Sequence, residues 1–444
     1  MEKNHKGTMR AWTMYDWANS VYPLVISSAI FPVYYTAITT KKDEAGTIIS
    51  DQVQFLGGTF TNTVISNYVL AFSFLVICLT SPLLSGIADS KGNKKRFLQF
   101  FCYLGSLSTA FLYFFTADQY DVTWGLLSLF FASIGYWSSS VFYNSYLPEI
   151  AEADMMDKIS ARGYAMGYVG SSLLLILCLI FIQAIAPQLN ISSGLATRYC
   201  FIAVGVWWMG FAQIFFSKIK KSKGNNNKEG SIFSGFHELQ KVWAQIKNSA
   251  SMLMYLRAFF FLSMGVQTVM LVAAYFGAKL LQLPAGKLIP VILIIQFVGI
   301  AGSFLFSWIS KKYGNKLSLS IALISWVFIC IGAWFDAEYK SENGFYLLAF
   351  FVGAVMGGIQ SMSRSTYSKL IPENTSDTAS FFSFYDITEK AAMVIGLFVF
   401  AWVEEHSPEK GMQNSVLALV IFFIISYILI QKVKDNRLNS QNNS

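Results

Sequence analysis

Long apolar runs alternate with short polar connectors along nearly all of the 444 residues. Twelve runs come within a few residues of about 20, the length an α-helix needs to cross a bilayer, or exceed it. Their expected bounds are 13–39, 64–88, 97–116, 123–147, 163–187, 198–217, 252–278, 286–310, 317–335, 344–370, 382–402 and 414–431. Each should be helical, because a closed membrane barrel would show short alternating strands instead. The two longest, 13–39 and 344–370, have length to spare for a tilt or a break. The rhythm fails once, in the polar stretch from Lys218 to Lys247. There Gly224-Asn225-Asn226-Asn227 reads as a flexible tract. Phe233, Phe236, Leu239, Trp243 and Ile246 then recur near helical spacing, as in an amphipathic helix lying on a membrane face. The pattern divides the chain into an N-terminal bundle (1–217), a linker (218–251) and a C-terminal bundle with a short tail (252–444). The linker reads first as a tether, and second as a regulatory or partner-binding element.

The two bundles repeat one another. The charged turn Gly86-Ile87-Ala88-Asp89-Ser90-Lys91-Gly92-Asn93-Lys94-Lys95-Arg96 has a relative in Trp308-Ile309-Ser310-Lys311-Lys312-Tyr313-Gly314-Asn315-Lys316, 222 positions on. Tyr146-Leu147-Pro148-Glu149 corresponds to Leu370-Ile371-Pro372-Glu373 at an offset of 224. Met14-Tyr15 and Tyr35 correspond to Met254-Tyr255 and Tyr275 at 240. Three matches in order argue for duplication. The expected fold is an all-α membrane protein, with twelve transmembrane helices in two pseudo-symmetric six-helix bundles.

Composition narrows the class. Hydrophobic residues make up 54% and charged residues only 13%, too few to cover a large soluble protein. The net charge of +8 is not spread as a nucleic-acid surface would be. Of 33 Lys and Arg, 24 fall on the side of the termini and seven on the other, which predicts both termini in the cytoplasm and an even number of spans. The first apolar run continues through Pro23 and Pro32, unlike a cleavable signal peptide. Cys78, Cys102, Cys178, Cys200 and Cys330 form neither a disulfide framework nor a metal knuckle, and His5, His237 and His406 are far apart. No phosphate loop, metal motif or nucleophile elbow is present, and Ser138-Ser139-Ser140 reads as helix packing. No metal and no cofactor is expected, the chain is expected to be a monomer, and it is not expected to be an enzyme.

The turn at 86–96 resembles the Gly-x-x-x-Asp-x-x-Gly-x-Lys/Arg turn of major facilitator superfamily transporters, in the variant Gly-x-x-Asp-x-x-Gly-Asn-Lys. Tyr15-Asp16-Trp17-Ala18-Asn19-Ser20 resembles the opening signature of the autophagy-related vacuolar effluxer group and its bacterial relatives. The resemblance implies a secondary carrier of small solutes with alternating access, in a bacterial cytoplasmic membrane. By analogy with fungal members it also implies amino-acid efflux. The second turn departs from the pattern, with Trp308 and Lys311 where the first has Gly86 and Asp89, which confines a charged clamp to the first half.

Candidate residues follow. Asp89, Gly92, Lys94, Lys95 and Arg96 belong to the turn, and Asp89 is expected to meet the start of span eleven and Arg162. Charges inside spans normally face a cavity or a partner; here they are Asp16, Arg257, Arg364, Asp386, Glu389 and Lys390. Asp16 with Arg257 would join the halves, and Asp386 or Glu389 would pair with Arg364 or Lys390. Simple snorkelling to water is the alternative. Asp386 and Glu389 are candidates for a coupling proton. Asn19, Ser20, Tyr22, Asn67, Tyr68, Tyr136, Trp137, Asn144, Gln267, Gln296 and Gln360 are polar positions that would line a solute cavity or serve packing. Gly353, Gly357, Gly358 and Ala354 point to close helix packing. Competing functions are a lipid or lysolipid translocase, with Arg257 and Arg364 at a headgroup, and a non-transporting membrane sensor.

Overall fold

The computed structural model describes residues 3–42, 48–116, 121–219, 232–279, 281, 285–373, 375–407, 410–434 and 438. Helix α1 runs over Lys6–Thr39, followed by α2 (Asn62–Lys91), α3 (Lys94–Phe114), α4 (Thr123–Ile150), α5 (Ala153–Gln188) and α6 (Ser193–Lys218). After the linker helix α7 (Ile232–Asn248) come α8 (Ala250–Lys279), α9 (Ala285–Tyr313), α10 (Asn315–Tyr339), α11 (Glu342–Leu370), α12 (Thr378–Glu405) and α13 (Gly411–Lys432). Among the described residues, eleven helices are long and apolar enough to cross a membrane. The expected span 382–402 is α12, whose 28 residues carry Asp386, Glu389 and Lys390 in the first half and Glu404 and Glu405 at the end, too many charges for it to count among the eleven. Several helices begin well before the apolar run, α5 ten residues earlier than expected.

The turn expected over 86–96 contracts to Gly92-Asn93. Gly92 takes φ +64° and closes α2 in the left-handed conformation, and Asn93 N–H donates to the Ala88 carbonyl at 3.0 Å. Gly314, with φ +89°, is the whole link between α9 and α10. The middle of α1 widens into a π-helix over Tyr22–Ile30, bracketed by Pro23 and Pro32, each of which lacks the N–H that an α-helix needs.

The connection from α1 to α2 is not a plain loop. Two antiparallel hairpins fill it, β1 (Lys41–Lys42) with β2 (Ile48–Ser50), and β3 (Gln52–Phe55) with β4 (Gly58–Thr61). Leu56 and Gly57 both have positive φ, +48° and +81°, as a two-residue hairpin turn requires.

Buried apolar side chains form two clusters, one over Met9–Ile219 and one dominated by Val242–Leu438. Ring pairs recur at repeated positions: Tyr15 stacks on Tyr143 at 4.8 Å and Tyr255 on Tyr367 at 6.2 Å. Within the second bundle α9 and α11 touch backbone to backbone, since a Cβ on Gly357 would lie 2.1 Å from the Gly299 carbonyl. Helix α7 buries Glu238, Val242 and Ile246 against the bundles. Phe236 and Trp243, expected on the apolar side of a membrane-surface helix, are 56% and 48% exposed. Gly224–Asn227 and the side chains of Phe233, Tyr275, Lys279 and Lys287 lie outside the described residues.

Candidate functional site

At the end of the molecule that carries the N-terminus, polar side chains tie the two bundles together at three places. The first is the α2–α3 turn. Buried Asp89 accepts from Ser380 N–H at 2.7 Å, Ser380 Oγ at 2.8 Å and Ala379 N–H at 3.3 Å, all in the first turn of α12. A helix N-terminus offers unpaired N–H groups and a positive dipole end, which suits a carboxylate. Fully buried Lys94 sits 3.1 Å from Asp89, donates to Thr378 Oγ1 at 2.6 Å and pairs with Glu149. Lys95 donates to the Ile219 carbonyl at 3.0 Å. Arg96 and Arg162 are exposed and make none of these contacts, so Asp89 meets α12 without Arg162.

The second tie corrects the expectation that only the first half carries a charged clamp. Asp157, in the first turns of α5, accepts from Lys369 Nζ at 2.6 Å, Ser310 Oγ at 2.8 Å and Asn315 Nδ2 at 2.9 Å. Ser310 and Asn315 belong to the second turn, and Lys369 closes α11. The acid therefore comes from the opposite bundle instead of from the turn itself, where Lys311 is exposed. Sequence reasoning passed over Asp157 because it reads as one more charge in a connector.

The third tie is deeper. Asp16 pairs with Arg364 at 3.1 Å, not with Arg257, which is exposed on α8. Arg364 also donates to Ser160 Oγ at 3.0 Å, the Ser160 carbonyl at 2.9 Å and Asn144 Oδ1 at 3.2 Å. Tyr143 Oη donates to Asp16 at 2.8 Å. The guanidinium lies over Tyr164 at 4.2 Å and Trp12 at 4.7 Å. A planar, delocalised cation can serve carboxylate, carbonyl and ring faces at once, which a lysine cannot.

Asp386 and Glu389 do not reach Arg364. Both pair with Lys390, at 3.3 Å and 3.1 Å. The Lys390 ammonium lies 3.4 Å from the centre of the Trp137 ring, on α4 of the other bundle. Gln267 donates to Glu389 at 2.9 Å. Counting formal charges, this group of two acids and one cation keeps one negative charge.

Around it stand aromatic side chains, of which Tyr22, Tyr136 and Trp137 were expected from the sequence and Tyr168 was not. Tyr22 and Tyr136 rings are 5.3 Å apart, Tyr136 and Trp137 4.9 Å, and Tyr168 Oη donates to Gln360 Oε1 at 2.8 Å. Asn19 Oδ1, Tyr22 Oη, Gln296 Oε1 and Asp386 Oδ2 are buried without a hydrogen-bond partner among the described residues. Asn67 and Tyr68 are exposed on α2, Tyr68 at 63%, and are not part of this lining. Among the described residues no three His, Cys, Asp or Glu side chains are grouped to hold a metal.

Comparison with known proteins bears on the family and the fold. The model of the family described as "Vacuole effluxer Atg22 like" matches residues 4–443. The uncharacterized MFS-type transporter YxiO of Bacillus subtilis (strain 168) is 27% identical, over 98% of this chain and 96% of that one. Autophagy-related protein 22-1 of Penicillium rubens is 20% identical, over 96% and 90%. Among solved structures, the proton:xylose symporter XylE superposes with a TM-score of 0.70 at 13% identity, over 98% and 97% of the two chains. FucP in the outward conformation gives 0.68 at 13%, over 98% and 99%. These likenesses show the major facilitator fold and a multi-pass membrane protein. The chain belongs to the Atg22-like vacuole effluxer family of membrane transporters.

Proposed function

We propose that this chain exports small solutes, amino acids foremost, by alternating access of its two bundles, and that a proton is coupled through Asp386 and Glu389. The observation that carries this reading is the Lys390 group, where one ammonium and two carboxylates stand against Trp137 of the opposite bundle. A zwitterion presents the complementary pair of charges. Its carboxylate would draw on Lys390 and its ammonium on Glu389, while protonating Glu389 would loosen Lys390 and the contact to Trp137. The three ties must break before a solute can pass the end that carries the termini, which by the distribution of Lys and Arg would face the cytoplasm. The family's description as effluxers supports export as the direction. Of the two cations considered for a lipid headgroup, Arg364 already donates to Asp16, Asn144 and Ser160.

Proteoliposomes carrying a pH-sensitive dye test this. Amino acids offered as a panel should move, and their movement should shift internal pH. Glu389→Gln should abolish the pH change while leaving solute exchange measurable. Solute flux indifferent to collapse of the proton gradient would sink the coupling, and a panel that stays put would sink the substrate class.

A further inference from the structure

Helix α12 begins at Thr378, and Asp377 occupies its N-cap position. An aspartate there ordinarily accepts from the N–H of the second or third helical residue, which here are Ala379 and Ser380. Asp377 makes no such bond. Its Oδ2 accepts from Lys241 Nζ of linker helix α7 at 2.7 Å, and its Oδ1 from Ser376 Oγ at 2.9 Å. The two N–H groups it leaves go to Asp89 of the other bundle. The cap of α12 is thus supplied from across the interface, while its own capping residue is held aside by the linker.

We propose that the cap of α12 is exchanged during transport: Asp89 holds it while the bundles are closed at this end, Asp377 takes it when they part, and Lys241, by holding Asp377, sets the balance between the two. Lys241 is then a positioning residue for the gate, acting through Asp377. The exchange rests on the reading that the bundles rock. Its physical basis is competition, because two carboxylates cannot both occupy the same two donors, and each disfavours the other at one positive helix end. Helix α7 is well placed for the part, since it also sets Trp243 at 5.5 Å from Phe384 of α12. Burial pushes the Asp377 carboxyl up, but the hydrogen bond and positive charge of Lys241 hold it below the ordinary 3.8, so it stays charged and bound to the linker at neutral pH.

The test uses the full-length chain in nanodiscs, with its five cysteines replaced by alanine and nitroxides attached through Lys91→Cys and Lys311→Cys. Both positions are exposed, one in each bundle, at this end. The distance between labels reports opening. Lys241→Ala and Asp377→Asn, which free or keep a capping side chain, should raise the ratio of long to short distances by about fivefold, the change one N-cap is worth. Asp377→Ala, which cannot cap, should keep the short distance, and Lys241→Ala should add nothing to it. The exchange is overturned if Lys241→Ala opens the protein equally with and without Asp377→Ala, or if Asp377→Asn and Asp377→Ala behave alike. Lengthening in Asp89→Asn alone overturns only the exchange. A distance that never changes in any variant, Asp89→Asn included, overturns the exchange together with the rocking beneath it.

Discussion

Asp157 and Lys369 stand 2.6 Å apart across the interface between the bundles, although 212 positions separate them in sequence. Both are buried, and Asn315 bridges them by donating to Asp157 and accepting from Lys369. Removing one member of such a pair leaves a bare buried charge, which costs about 3–5 kcal/mol. Lys369→Met should therefore destabilise the closed form strongly, and Lys369→Met with Asp157→Asn should destabilise it less. Modification of a cysteine placed in the interface by a thiol reagent would show the order. A double variant as open as the single one would refute it.

Gly163 faces the Asp16–Arg364 pair. A Cβ there would lie 2.3 Å from Asp16 Oδ2 and 2.8 Å from Arg364 Nη2. Gly163→Ala should push the pair apart and lower transport, and Asp16→Asn should lower it to a similar extent. Gly210→Ala, with nothing within 4 Å, serves as the control and should transport normally. Uptake assays on the three variants decide the matter.

The two turn glycines differ in what they tolerate. Gly92, at φ +64° and ψ +26°, lies in the left-handed region that asparagine also visits. Gly314, at φ +89° and ψ +159°, lies where essentially only glycine goes. Gly92→Asn should lower the melting temperature slightly, and Gly314→Asn should cost about 1–3 kcal/mol. Equal melting temperatures would contradict the difference.

Docking of α7 should resist acid. The Asp377 carboxyl is lowered below 3.8 in the folded protein, so its contribution is full above the unfolded value and is lost only as pH falls through the lower, folded one. Protection of the α7 amides, measured against their intrinsic exchange rates, should stay constant from about pH 7 to about pH 5. In Lys241→Ala exchange should be faster throughout that window. A loss of protection near neutrality in the unaltered chain would show that another group governs docking.

The apolar runs and the duplicated turn were legible because helix length and positive charge are local properties. Partners were not. Asp16 and Arg364 are 348 positions apart, and no spacing rule connects them. Matching spans one and seven by repeat suggested Arg257, but repeat-related helices need not touch. Helix α7 was legible from its apolar spacing, and Phe236 and Trp243 are exposed as a membrane-surface helix requires, but its packed side was not, since buried Glu238 interrupts the apolar pattern. The hairpins were hidden by brevity, since no strand exceeds four residues.

The acids of all three ties, Asp16, Asp89 and Asp157, come from the first bundle, and their donors Arg364, Ser380 and Lys369 from the second. The mating surfaces are thus opposite in electrical character, like the poles of a clasp. Severed within the linker and produced as separate polypeptides, the fragments would recognise each other and reject copies of themselves, because two first bundles brought together would leave Asp16 and Asp157 without Arg364 and Lys369.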